Sequence, residues 1–286
     1  MSNITASDVA KLRSLTGAGM MDCKKALDEA GGNMDTADEI LRKKGIVKAA
    51  KRNEKIAAEG TTLVKTAGNL AVISEVNSET DFVANNEDFQ KLAADIIDHL
   101  LANRPASMEA ALDGGIREKI ETLVAKIGEK ITLRRFEIVE KTNADAFGPY
   151  IHMAGKISVL ILVTGTTDEA LAREVAMHTA AASPKYIERS QVPAEVVAKE
   201  KEIYSEQLKQ QGKPENVIEN ILKGKIDKFY SEVCLVEQPY IKDEEKTITQ
   251  LIGSAKVVKM IRYELGEGLA KKGCDFAAEV AEQMAK

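Results

Sequence analysis

The chain has 286 residues, enough for about two domains. Forty Lys and Arg against 45 Asp and Glu leave a net charge of −5, which disfavours a general nucleic-acid binder, because such proteins need cations to displace phosphate counterions. The longest apolar run, around Ile157–Val163, falls far short of a membrane span, and Met1–Asp8 lacks the charged-then-apolar order of a signal peptide.

With no Trp, six Phe and six Tyr, the cores must be built from Ala, Val, Ile and Leu, which suits many helices. Cys23, Cys234 and Cys274 are odd in number and far apart, so the cytoplasm is the expected compartment. His99, His152 and His178 form no cluster, and no Walker loop, GxGxxG, GxSxG or HExxH occurs. Neither a cofactor, a metal site nor covalent chemistry is expected.

Residues 1–56 predict a small all-helical module. Val9, Leu12 and Leu15 give a first helix that stops at Thr16–Gly19. Asp22 is placed to cap a second, carrying Cys23, Ala26 and Leu27, and Asn33 or Asp35 a third, carrying Met34, Ala37, Ile40 and Leu41 and ending near Gly45. Three such helices bury little, so the module is marginal alone. Between the first two lie Met20 and Met21, which cannot both point inward. Either one is core and one exposed, or the pair is an adaptable apolar contact for a partner. The stretch Lys43–Lys55 predicts a basic, solvated hinge; without interleaved aromatics it is a poor RNA platform.

From Glu59 the pattern changes. Thr61–Thr66 and Leu70–Val76 predict a hairpin turning at Gly68. After it comes Glu75-Val-Asn-Ser-Glu-Thr-Asp-Phe-Val-Ala84, then a helix near 86–102 with Phe89, Leu92, Ile96 and Leu100 on one face. Thr80 and Asp81 are both good N-cap residues. Phe82, at the same junction, either tucks into its own core or points at another molecule. A second helix carries Ile116, Ile120, Leu123, Val124 and Ile127 and stops at Gly128, and Lys130–Glu140 follows as a strand.

The design then recurs. Gly68 to Asp81 and Gly155 to Asp168 both span 13 positions, an offset of 87; Arg135-Phe136-Glu137 recurs as Arg262-Tyr263-Glu264, an offset of 127. Two half-domains follow, the second enlarged by 127 − 87 = 40 residues. The enlargement falls on Pro193–Tyr230, where two apolar stripes flank Gly212-Lys213-Pro214 and predict a projecting helical hairpin for dimerisation or docking. The acid of Asp81 recurs as Asp168, as a structural cap would, whereas Phe82 is replaced by Glu169. Beyond Gly268, Asp275 is placed to cap a short terminal helix carrying Phe276, Ala277, Val280, Ala281 and Met284.

Thr16-Gly-Ala-Gly-Met-Met-Asp-Cys-Lys-Lys-Ala-Leu27 and Glu75–Ala84 closely resemble the two signature stretches of bacterial translation elongation factor Ts, and the likeness runs through Val124–Gly128, Ala176–His178 and Arg262–Gly268 to Asp275–Val280. The resemblance implies an α+β fold: a three-helix, UBA-like N-terminal module (1–56), a core of two subdomains (57–140 and 141–265) with an inserted helical hairpin (190–230), and a C-terminal module (266–286). It implies a guanine-nucleotide exchange factor for the GTPase elongation factor Tu, with no covalent chemistry of its own, no direct nucleic-acid or membrane partner, and room for a homodimer or 2:2 complex through the hairpin. By the same resemblance, Thr80, Asp81, Phe82 and Val83 are the region that dislodges the GTPase's Mg²⁺. Met20 and Met21 would touch its nucleotide-binding domain, and Gly128 and His152 a different domain. Three rival classes remain open from the residues alone: an interaction module working through the three helices, an RNA binder using Arg42–Lys55, and a hydrolase built on Asp81 and His152.

Overall fold

A computed structural model describes residues 4–16, 18–51, 55–211 and 214–269. The anticipated terminal helix with its Asp275 cap, Cys274, and the Gly212-Lys213 break lie outside the described residues.

The first three helices, α1 (Ala6–Thr16), α2 (Met20–Glu29) and α3 (Met34–Lys51), enclose Val9, Leu12, Cys23, Ala26, Leu27, Ala37 and Leu41. Several details depart from expectation. Leu15 is exposed rather than core. The cap of α2 is Gly19, without a side-chain bond, and Asp22 lies inside the first turn, where its charge favours the positive end of the helix dipole. Asn33 is the cap of the third helix, its Oδ1 accepting from the Thr36 N–H at 3.0 Å. That helix does not stop at Gly45 but runs to Lys51. The basic stretch is therefore largely helical, because one interior glycine costs only ~1 kcal/mol and Lys and Ala are strong helix formers.

A hairpin, β1 (Glu59–Ala67) and β2 (Leu70–Ser78), leads into the short α4 (Asp81–Ala84), then α5 (Glu87–Asn103), α6 (Met108–Ala111), α7 (Ile116–Ile127) and β3 (Thr132–Glu140). The second half carries β4 (Ala146–His152), β5 (Ile157–Thr164), α8 (Glu169–Ala182), α9 (Ala194–Gln210), α10 (Glu215–Val233), the small pair β6 (Pro239–Tyr240) and β7 (Asp243–Thr247), α11 (Ile248–Ile252) and β8 (Lys256–Glu264). The fold is thus mixed helix and sheet, with three-stranded antiparallel sheets ordered β1-β2-β3 and β4-β5-β8. Among the described residues no helix is long and apolar enough to cross a membrane.

Both central strands are buried on both faces, which is why they read as continuous apolar runs. On β2, Val72 and Val76 face α5 and α7, while Ala71 and Ile73 face the other sheet. On β5, Val159, Ile161 and Val163 face α8, while Leu160 and Leu162 meet the first sheet. The result is four layers: helices, sheet, sheet, helices.

The two halves match in register. Leu70 pairs with Glu140 and Ile157 with Glu264, so the central strands are offset by 157 − 70 = 87 and the closing strands by 264 − 140 = 124. Each ladder has a β-bulge at the same place, between Glu75 and Val76 and between Leu162 and Val163. The offset of 127 is therefore a coincidence of three similar residues. Phe136 packs toward the helices whereas Tyr263 packs between the sheets, on the opposite face. The enlargement of the second half is 124 − 87 = 37 residues, and α9 and α10, packed along one another, supply it.

Strand β4 is the first strand of the second hairpin that the repeat implied, although no residue range was predicted for it. Gly148 and Pro149 hid it, and both are tolerated because β4 is an edge strand. Gly148 is required by close approach: a Cβ there would stand 2.1 Å from the Ala172 carbonyl oxygen of α8. Gly148→Ala is expected to lower stability by roughly 1–3 kcal/mol or more, since backbone on both sides resists the shift; an unchanged urea midpoint would count against this packing.

Candidate functional site

The junction between β2 and α4 presents one aromatic to solvent. Thr80, extended at φ −126°, is the N-cap of α4, its hydroxyl oxygen accepting from the Val83 N–H at 3.4 Å. Val83 and Ala84 are buried with Val76, Phe89 and Leu92 in the helix-side core of the first sheet. Phe82 projects the other way and is 86% exposed. It does not tuck into its own core. Single exposed aliphatics are ordinary on a protein surface, but an aromatic left in water forgoes about 2–3 kcal/mol of burial.

The support under Phe82 is dense. The Ser78 hydroxyl donates to the Thr80 carbonyl at 2.9 Å, Asn85 Nδ2 donates to the Asp81 carbonyl at 2.9 Å, and Gln90 Nε2 donates to the Ala84 carbonyl. A second loop closes the site from below. Helix α7 ends at Gly128, whose φ of +84° favours glycine and turns the chain so that residues 129 and 130 run beside residues 79 and 80. The Glu129 carboxylate accepts from the Thr80 N–H at 3.0 Å and its hydroxyl at 2.8 Å. In return, the Glu79 carboxylate accepts from the Lys130 N–H at 2.7 Å and pairs with Lys55 at 3.1 Å. Glu79 and Glu129 were not anticipated, because the residues they bond across the two loops lie 51 and 49 positions away.

Asp81 does not cap the helix. It occupies the first helical position, its side chain is exposed, and its carboxylate has no partner among the described residues. In the second half Asp168 is the cap, accepting from the Leu171 N–H at 3.0 Å. The cap thus falls one residue earlier in the first half, and the shared acid serves different ends. Asp81 and Phe82 are both outward groups.

Behind the junction, Glu75 on β2 is fully buried. The bulge aims consecutive residues of β3 at it: Arg134 Nη1 lies 2.9 Å from Oε1 and Arg135 Nε 2.5 Å from Oε2. Asn77 Nδ2 and the Gly266 N–H donate to Oε1 at 3.1 and 2.8 Å. Burial alone would push the Glu75 carboxyl up, yet these donors hold it below the usual glutamate value. Arg135 also lies over the Tyr263 ring, 4.1 Å from its centre, so the two similar tripeptides meet in space although they are not equivalent.

The remaining anticipated residues sit on other elements. Met20 and Met21, opening α2, are 54% and 64% exposed, so neither is core. Gly128 is half-buried and closes α7, one residue before Glu129. His152 ends β4, exposed, stacked on Tyr150 with ring centres 6.0 Å apart and flanked by exposed Ile151 and Met153. His178 is buried on α8, its Nε2 2.9 Å from Gln238 Oε1 while Nδ1 accepts from the Ile241 N–H, which identifies a satisfied core histidine. Among the described residues no group of three or more His, Cys, Asp or Glu is placed to hold a metal ion. The arrangement can present an aromatic and a carboxylate on a stiff turn.

The family model described as Elongation factor TS matches residues 79–267, well over half of the chain and beginning at this junction.

Proposed function

On the premise that the chain belongs to the elongation factor Ts family, we propose that it is a guanine-nucleotide exchange factor for elongation factor Tu: it binds the GDP-bound GTPase, displaces Mg²⁺ and promotes GDP release so that GTP binds. The observation that carries this is Phe82, exposed and held on a hydrogen-bonded turn that buried Val83 and Ala84 seat in the core.

The physics runs as follows. A GTPase holds GDP through backbone N–H groups and a Mg²⁺ bridging phosphate and protein oxygens. Mg²⁺ demands near-ideal octahedral geometry, so a small shift of the elements around it is expensive. Phe82 entering a pocket beside the nucleotide supplies that shift from its own burial. Asp81 adds a carboxylate that accepts hydrogen bonds from partner backbone groups formerly serving the nucleotide site. Met20, Met21, Gly128 and His152 extend the contact to other faces of the partner. No bond is made or broken in this chain.

Reciprocity supplies the test. A factor that weakens GDP binding is itself weakened by GDP to the same degree, commonly about 1–3 kcal/mol. The chain and nucleotide-free elongation factor Tu are expected to co-elute on gel filtration, and excess GDP to separate them. Co-elution indifferent to nucleotide would point instead to a passive interaction module.

The α9–α10 hairpin is proposed as an arm for a homodimer or 2:2 complex, on the strength of half-exposed Ile203 and Val217. Ile203→Glu with Val217→Glu is expected to halve the mass seen by light scattering. A mass unchanged from the parent chain would remove the hairpin from any pairing.

A further inference from the structure

We propose that Glu129 is a positioning residue that presets the pose of Phe82; this deepens the exchange reading and rests on it. Thr80 stands two residues before Phe82, and its single hydroxyl has one proton and lone pairs to spend. Glu129 Oε1 accepts the hydroxyl hydrogen bond at 2.8 Å, which leaves a lone pair turned to the Val83 N–H in the first turn of α4. Glu129 Oε2 takes the Thr80 N–H as well, at 3.0 Å. One carboxylate therefore fixes both the backbone and the side chain of the capping residue.

The same two loops are tied in the opposite sense by Glu79 and the Lys130 N–H. Residues 79–80 and 129–130 thus exchange carboxylates for N–H groups. Below them Val83 and Ala84 are seated in the core. Phe82 lies between the latched Thr80 and the seated Val83, so the turn that carries it is fixed on both sides. An aromatic ordered before binding loses less freedom when it enters a partner, and that saving goes to displacing the nucleotide.

The second half is a built-in comparison. There α11 is followed by Gly253 and then Ser254, so no carboxylate follows the closing glycine, and the residue matching Phe82 is Glu169. The latch accompanies the aromatic. It also gives Gly128 a task inside the chain: its left-handed turn aims Glu129 at Thr80.

The test is a double-mutant cycle on GDP release from elongation factor Tu at saturating chain, with half-saturation concentration and urea midpoint measured alongside. Glu129→Ala is expected to lower the maximal release rate about tenfold, as for loss of hydrogen bonds to a charged group, with half-saturation moved less than about twofold. In a Phe82→Ala background the same change is expected to cost less than about twofold, because its route runs through the ring. If Glu129→Ala unfolds the chain, Glu129→Gln takes its place in the cycle. A normal maximal rate for the Glu129 variant, or a loss that multiplies with that of Phe82→Ala, would overturn the latch. A normal rate for Phe82→Ala alone would overturn the wedge on which the latch acts, and no acceleration by the parent chain would overturn the exchange reading itself.

Discussion

Phe82→Ala is expected to slow GDP release from elongation factor Tu by roughly 30-fold or more at a fixed concentration of this chain, the ~2 kcal/mol of a buried aromatic anchor. The free protein should hardly notice. The ring is 86% exposed, so its truncation removes almost no internal packing, and surface changes of this kind stay within about 0.5 kcal/mol. The combination is diagnostic: a large loss of exchange with an unchanged urea midpoint. Stopped-flow release of a fluorescent GDP measures the first quantity. Release at the parent rate would sink the wedge and leave the exposure of Phe82 unexplained.

Glu75→Gln is expected to lower stability by about 3 kcal/mol, the low end of the range for breaking a buried ion pair. The low end applies because Arg134 and Arg135 are about a quarter exposed and keep part of their hydration. The carboxylate holds five contacts from four residues: two from Arg134 and one each from Arg135, Asn77 and Gly266. The loss also has a pH signature. The folded carboxyl titrates below its unfolded counterpart, near the ordinary value of 4.5, so its contribution is complete above that value and fades as the pH falls toward the folded pKa. The gap between parent and variant in urea denaturation should therefore be widest near neutrality and close progressively below about pH 4.5. A gap that is constant across this range would mean that charge has no part in it.

Much of the architecture was legible because apolar spacing and turn residues agreed. The β1–β2 hairpin, α5, α7 and the pair α9–α10 each show a clean period bounded by Gly, Pro or a capping residue. The extent of strand β4 was not, because Gly148 and Pro149 carry strand-breaking chemistry that only an edge position forgives. Gly45 misled in the opposite direction, since its flanks favour helix strongly enough to carry α3 through it. At the junction, sequence singled out Phe82 but misassigned the cap. Thr80 and Asp81 are both capping types, and a one-residue choice depends on backbone angles that spacing does not encode. The exchange of carboxylates between residues 79–80 and 129–130 was invisible for a different reason. Its partners are 49 and 51 residues apart, and nothing local marks Glu129 as more than a charged residue after a helix.

The repeat shows how a correct conclusion can rest partly on a false match. The offset of 87 survives as the register of the two central strands, down to the position of the bulge. The offset of 127 does not, because three residues is an odd number and places the compared side chains on opposite faces.

The central claim is settled most directly by mixing this chain with elongation factor Tu loaded with fluorescent GDP, in the presence of excess unlabelled nucleotide, and following release. The rate is expected to climb with the concentration of the chain toward a plateau, even when the chain is substoichiometric over many turnovers. Release at the intrinsic rate of the GTPase, at every concentration of the chain, would contradict the account.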